Sequence, residues 1–139
     1  MYGTVTFKRN IWHGVIDTPA FQRMRHIKQL GTAHYVFPNS LHSRFEHCVG
    51  VGHLSQLYYD TLGANMRIAD RIPRHLYESL RDCVTIGGLC HDIGHGPYSH
   101  TFETFLQSWV RGVTSIVANN VSGIDTDRLD YVQRDGLVS

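Results

Sequence analysis

The chain has little of several things, and each shortage narrows what it can be. It carries three cysteines, Cys48, Cys83 and Cys90, an odd number with no C-x-x-C pair. Neither a disulfide framework nor a thiolate zinc site is expected, so the three read as reduced thiols with buried packing roles. That fits a cytosolic protein, or a nuclear one in a eukaryotic host. Formal net charge is only +1 with neutral histidines. The chain therefore exerts no bulk pull on nucleic acid or membrane, and nucleic-acid binding would need a local basic patch. No segment approaches the roughly 18 apolar residues of a membrane helix. The opening stretch, Met1 to Arg9, lacks the basic-then-apolar layout of a secretory leader, and none is expected. There are four prolines, no repeat and no Pro/Ser-rich linker in 139 residues, so a single domain over 1–139 is expected.

What the chain does have is apolar residues, 42% of the total and spread along its length, which supports a packed core. It also has ten histidines, more than a core needs, which directs attention to metal or acid–base chemistry.

The apolar pattern is helical nearly throughout. Residues 4–7 alternate and read as a short strand. Asp17-Thr18-Pro19 is a helix start, with a capping residue before a first-turn proline. The helix it opens carries Phe21, Met24, Ile27 and Leu30 on one stripe and ends at Gly31. A second helix spans about Ser43 to Leu62, with Phe45, Val49, Gly52, Leu57 and Leu62 inward and Gly63 closing it. A third spans about Arg74 to Cys90, with Leu76, Leu80, Cys83, Val84 and Gly87 inward. Residues 93–99 form a loop broken by glycine and proline, and further helices are expected at about 100–111, 113–121 and 124–135. The expected class is all-α, a compact helical bundle.

Chemistry centres on His91-Asp92. Adjacent side chains on a helix point about 100° apart, but at a helix end both can converge on one ion. Imidazole with carboxylate suits Fe, Mn, Co, Ni or Mg. A His-Asp dipeptide alone means little. Arg44 and His47, three apart, share one face of the preceding helix. Asp127, Tyr131 and Asp135 recur at four-residue spacing, although a solvated helix face looks the same. The pieces together spell H…HD…D, with His95 and His100 in the loop after the pair.

Four stretches carry a resemblance: DTPAFQRMRHIKQLG (17–31), YVFPNSLHSRFEHCVGVGHL (35–54), IGGLCHDIGHGPYSHTFE (86–103) and GIDTDRLDYVQRD (123–135). In that order they resemble the HD-domain superfamily, and within it the deoxynucleoside triphosphate triphosphohydrolases of the animal type that carries a sterile-alpha-motif domain, here in much shortened form. The resemblance implies a divalent-metal site at His47, His91, Asp92 and Asp127. It implies phosphate contacts from Arg44, Arg128 and Tyr131, and a sugar 3′-hydroxyl contact from Gln29 and Asp135. His95 and His100 match active-site histidines near the scissile phosphate. Glu103 stands where the family has an aspartate behind its catalytic histidine, and Arg128 stands for a lysine. His100 and Glu103, three apart at a helix start, suit a carboxylate-held general acid. Asp17, Gln22 and Arg25 fall where the animal enzyme builds a regulatory site, but the plainer role of starting and packing a helix is favoured here.

The implied reaction is hydrolysis of a dNTP to deoxynucleoside and tripolyphosphate. The alternatives are an HD phosphohydrolase or phosphodiesterase acting on other nucleotides, and a non-catalytic nucleotide-binding regulator. Between Phe105 and about Val121 the chain has a short connection where such relatives insert many tens of residues. Such relatives continue with further elements beyond the position of Asp135. Sugar selectivity and nucleotide-controlled assembly are thereby left open, and self-association to complete the pocket is expected.

Overall fold

The computed structural model describes residues 2–98. The fold is all-α, as the sequence implies. Among the described residues the one β-type pairing is an isolated antiparallel bridge between Lys28 and Ser43. Residues 4–7 are not a strand: they run as irregular chain into a short helix, α1, at Arg9–Ile11. A π turn at Trp12–Ile16 follows. The expected helices beyond residue 98 lie outside the described residues.

The helix expected to run from Pro19 to Leu30 is cut short. α2 occupies Pro19–Gln22, capped by the Thr18 hydroxyl, and passes into a 3-10 turn at Arg23–His26. Phe21, Met24 and Ile27 are all buried. Their spacing of three serves a 3-10 turn as well as an α-helix, which is why the pattern could not separate the two. What ends the helix is pairing. The Ile27 carbonyl accepts from Arg44 N–H at 2.9 Å, and Gln29 N–H donates to the His42 carbonyl at 3.1 Å. The chain is therefore extended at Ile27 and tied to the segment that enters the next helix.

That helix, α3, spans Arg44–Asn65. Ser43 caps it: its own N–H donates to Glu46 Oε2 at 2.6 Å, while its hydroxyl accepts from Glu46 N–H. A reciprocal cap of this kind contributes about 1 kcal/mol and fixes the helix start. Arg44 and His47 are thereby aimed inward. Gly63 does not close α3. The helix continues to Asn65, and Arg67, in the left-handed region at φ 50°, turns the chain after it.

α4 spans Arg74–Cys90, the bounds expected, but it presents the opposite face. Leu76, Leu80, Cys83, Val84 and Gly87 are exposed, whereas Thr85, Gly88 and Leu89 are buried. Leu57 and Leu62 of α3 also face out, though Phe45 and Gly52 are buried as expected. The reason is how closely α3 and α4 cross. A Cβ on Gly88 would sit 3.1 Å from the Gly52 Cα, and one on Gly52 would sit 2.7 Å from Leu89 side-chain carbons. Small residues let the two backbones meet, so the bulky stripe of α4 turns away. The hairpin is antiparallel: His47 faces His91 at one end, and Gly63 faces Tyr77 near the other.

The N-terminal turns cover the hairpin beside the histidines. Ile11, Ile16, Phe21, Met24, Phe45, Cys48 and Leu89 form one core cluster. The Phe21 and Phe45 rings meet edge-to-face at 5.3 Å, a favourable aromatic geometry. Of the cysteines, Cys48 is buried against Met24 and Cys90 is half-buried, but Cys83 is exposed, so the packing role fails for it. No helix among the described residues is long and apolar enough to cross a membrane.

Candidate metal centre

The His end of the hairpin collects the charged groups. His47 is on the second turn of α3, and His91 and Asp92 follow the last residue of α4. The Gly52–Gly88 crossing brings them together. His47 Nε2 and His91 Nε2 are 3.1 Å apart, and each lies 3.6 Å from Asp92 Oδ2. His91 Nδ1 lies 2.7 Å from the Gly88 carbonyl, which can only accept. Nδ1 therefore carries a proton; in the neutral ring the Nε2 lone pair is turned toward His47 and Asp92, and in the charged ring the imidazolium faces the carboxylate.

Asp92 is held at both oxygens. Oδ1 accepts from His95 Nε2 at 3.1 Å, and Oδ2 accepts from Arg44 Nη1. Arg44 is 1% exposed and Asp92 4%, so this is a buried pair. Burial by itself would raise the Asp92 carboxyl. The His95 hydrogen bond, with the His91 and Arg44 charges behind it, outweighs burial and pulls the carboxyl down to about 2. Asp92 is thus an anion at any neutral pH, and protons do not compete with a cation for it.

These residues fit a divalent cation. Two imidazole nitrogens and a carboxylate oxygen face one small volume, all within 4.8 Å of one another. The His91 tautomer is set correctly, and Asp92 Oδ2 keeps a second lone pair beside its bond to Arg44. Of the site residues expected from sequence, the structure brings His47, His91, Asp92, Arg44 and His95 together. Arg44 was expected to contact phosphate; its guanidinium here grips the Asp92 carboxylate. Gln29 is buried next to the Lys28–Ser43 bridge, close in the chain pairing to where α3 begins. Asp127, His100, Glu103, Arg128, Tyr131 and Asp135 lie outside the described residues.

Asp17, Gln22 and Arg25 all have structural tasks. Asp17 pairs with His13 at 3.0 Å, and Gln22 Nε2 donates to the Ile16 carbonyl at 2.7 Å. Arg25 donates to Gln22 and lies 3.5 Å over the Phe45 ring. Sequence reasoning missed the Gly88 carbonyl behind His91. Its signal was the small residue three positions before the histidine, at the helix crossing.

The HD domain family model matches residues 44–125, more than half of the chain, and the match takes in the Arg44, His47, His91, Asp92 and His95 cluster. The chain belongs to the HD domain family. Among curated proteins this HD domain is 53% identical over 91 residues to the human deoxynucleoside triphosphate triphosphohydrolase SAMHD1, covering 64% of this chain and 13% of that protein. It is 33% identical over 168 positions to the SAMHD1 homolog of Dictyostelium discoideum, covering 86% of this chain and 32% of the relative. It is 31% identical over 175 positions to the putative HD domain-containing protein L394 of Acanthamoeba polyphaga mimivirus, covering 87% of this chain and 38% of that one. The chain thus spans well under half the length of these relatives. The last two alignments are longer than the whole 139-residue chain, so both relatives hold residues inside the aligned stretch that this HD domain lacks.

Proposed function

We propose that the chain is a metal-dependent nucleotide phosphohydrolase, and that its substrate is a dNTP cleaved to deoxynucleoside and tripolyphosphate. The observation that carries the reading is the convergence of His47, His91 and Asp92 beside Arg44 and His95. The similarity to a protein named as a deoxynucleoside triphosphate triphosphohydrolase supports the bond and the substrate class. His47, His91 and Asp92 would hold the cation, with Asp127 as fourth ligand. A divalent cation so bound lowers the pKa of water and polarises a phosphoryl oxygen.

The chain's own residues do the rest. Asp92, fixed by Arg44 and His95, stays ionised and correctly turned. His95 offers a proton-bearing nitrogen next to the site, and serves as a phosphate contact or proton relay. His100, held by Glu103, acts as general acid to the leaving oxygen. Arg128 and Tyr131 contact phosphate, and Arg44 contributes positive charge from behind Asp92. Gln29 and Asp135 hydrogen-bond the sugar 3′-hydroxyl. Residues 1–139 act as one domain, and a homo-oligomer completes the pocket.

The test is a dGTP reaction with Mn2+, Fe2+, Co2+, Ni2+ or Mg2+, its products resolved by chromatography. Deoxyguanosine with tripolyphosphate is the expected pair. Products limited to dGDP or dGMP would reject the bond assignment. Turnover of ribo- or cyclic nucleotides alone would move the assignment to another HD phosphohydrolase. Turnover that survives the double substitution His91→Ala, Asp92→Ala would reject the site.

A further inference from the structure

The turn after α4 has to be held in place. Residues 91–96, His-Asp-Ile-Gly-His-Gly, contain two glycines and carry three of the site's side chains. A glycine-rich turn has more conformations to lose than an ordinary one. Its own backbone supplies two bonds, Ile93 N–H to the Cys90 carbonyl at 3.1 Å and His95 N–H to the Asp92 carbonyl at 3.0 Å. A Cβ at Gly94 would meet nothing within 4 Å, so packing does not restrain that point.

The restraint comes from a segment 70 residues earlier in the chain. Arg23, in the 3-10 turn Arg23–His26, donates from Nη2 to the Ile93 carbonyl at 2.8 Å and to the His95 carbonyl at 2.9 Å. One nitrogen gathers two carbonyls that flank Gly94. Both bonds are charge-assisted, the stronger kind. The next residue, Met24, is fully buried in the core cluster, so the turn that bears Arg23 is anchored.

We infer that Arg23 is a positioning residue of the centre: it fixes the 93–95 turn so that His95 Nε2 meets Asp92 Oδ1. The relay runs from the Arg23 guanidinium through the His95 backbone to the His95 ring, and from there at 3.1 Å to the carboxylate. It ends on the same carboxylate that Arg44 holds from the opposite side. Arg23 touches neither the candidate ligand atoms nor the cation's place, so its effect is on orientation. Removing a group that holds a metal ligand from behind typically costs about 10–100-fold in metal affinity or activity. Its value for turnover rests on the phosphohydrolase reading; its hold on His95 does not.

The experiment uses the full chain with Arg23→Met and Arg23→Lys. Arg23 is exposed as a residue, so neither substitution opens the core. The first readout is the pair of imidazole nitrogen shifts of His95 by long-range proton–nitrogen NMR, in metal-free protein at fixed neutral pH. In Arg23→Met these shifts should move to the averaged values of a free histidine, with the remaining spectrum and the Tm retained. Lysine has three donors on one nitrogen and can meet both carbonyls, so Arg23→Lys should restore them. The second readout is dGTP turnover with Mn2+: kcat should fall about tenfold in Arg23→Met, with KM changed less than about twofold, and recover in Arg23→Lys. Unaltered His95 shifts in Arg23→Met would overturn the inference. So would a change that lysine fails to reverse, or one that spreads through the spectrum as general unfolding. Absence of dGTP turnover in the unsubstituted protein would count against the proposed substrate, while the His95 shifts would still decide the role of Arg23.

Discussion

The two ends of the α3–α4 hairpin use the same pair of residue types to opposite effect. At one end Arg44 grips Asp92; at the other Arg81 grips Asp60 with two parallel bonds of 2.7 Å. The Asp60–Arg81 pair sits at the edge of a cavity of about 590 Å3, with Lys8, Arg74, Tyr77 and Glu78 around it. There each cation has an acid of its own: Lys8 pairs with Asp82 and Arg74 with Glu78. The charges cancel in partly exposed pairs, and little is left over for a ligand. At the His end the pair is buried, and two imidazoles face the same carboxylate oxygen that the arginine holds. A guanidinium–carboxylate pair is therefore not itself a site. Surplus lone pairs, aimed together and kept from water, make one.

The sharpest way to break this comparison is to delete each arginine. Arg44→Ala leaves the Asp92 charge buried, and the metal-free protein should lose about 3–5 kcal/mol of stability. Arg81→Ala exposes Asp60 to solvent and should cost no more than about 1 kcal/mol. Urea unfolding of the two variants side by side measures both. Equal losses would mean that the ends do not differ as the burial of their pairs implies.

The glycines supply the next test. Gly88→Ala places a methyl 2.5 Å from Ser55 Oγ and 3.1 Å from both the Gly52 Cα and the Val51 carbonyl, so Ser55 must turn and the two backbones must part. It should cost about 3 kcal/mol and separate His47 from His91. Weakened Mn2+ binding, read by calorimetry, should accompany the lost stability. Gly63→Ala, at the far end, would press on the hydroxyl end of the Tyr77 ring, so the ring must swing aside, but the atoms nearest the methyl there are side chain rather than backbone. It should leave Mn2+ binding unchanged.

Acid should also act unequally on the two ends. The folded-state pKa of Asp92 is lowered from 3.8 to about 2. The stability it contributes is present in full above its unfolded value near 4 and is lost as pH falls from there through about 2. By linkage the amount is about 2 kcal/mol. Metal-free protein titrated by urea unfolding between neutral pH and pH 2 should show this loss, and Asp92→Asn should remove that part of the slope. A slope unchanged by Asp92→Asn would assign the acid sensitivity elsewhere.

Much of the candidate site was legible because the side chains able to hold a metal are written in residue types. His91-Asp92 after a helix, with Arg44 and His47 one turn apart on another, needs no coordinates to be noticed. The bounds of α4 were legible as well. Its inward face was not. Periodicity points to the stripe of Leu76, Leu80 and Val84. The crossing instead selects Gly52 and Gly88: Gly88 lies against the α3 backbone, and Gly52 leaves the space that the Leu89 side chain fills. Hydrophobic periodicity reports which face is apolar, and only packing reports how close the neighbour comes. The Arg44–Asp92 pair was hidden for a related reason: a guanidinium suits phosphate and carboxylate equally, and the sequence does not say that the carboxylate is within reach. The end of α2 was hidden because a tertiary bridge, Lys28 to Ser43, overrides a local pattern compatible with helix.

The smallest expected effect also separates the ends. Arg67 turns the chain out of α3 at φ 50°, a conformation that disfavours any residue with a Cβ. It lies beyond Asn65, at the end of the hairpin away from the histidines. Arg67→Gly removes the steric cost but adds freedom to the unfolded chain, and the two partly offset. A net gain of up to about 1 kcal/mol is expected, of the order seen where glycine follows a helix C-terminus. Mn2+ binding and dGTP turnover should be unmoved. If the substitution alters either, the far end is coupled to the centre through α3, and the hairpin's two ends do not act independently.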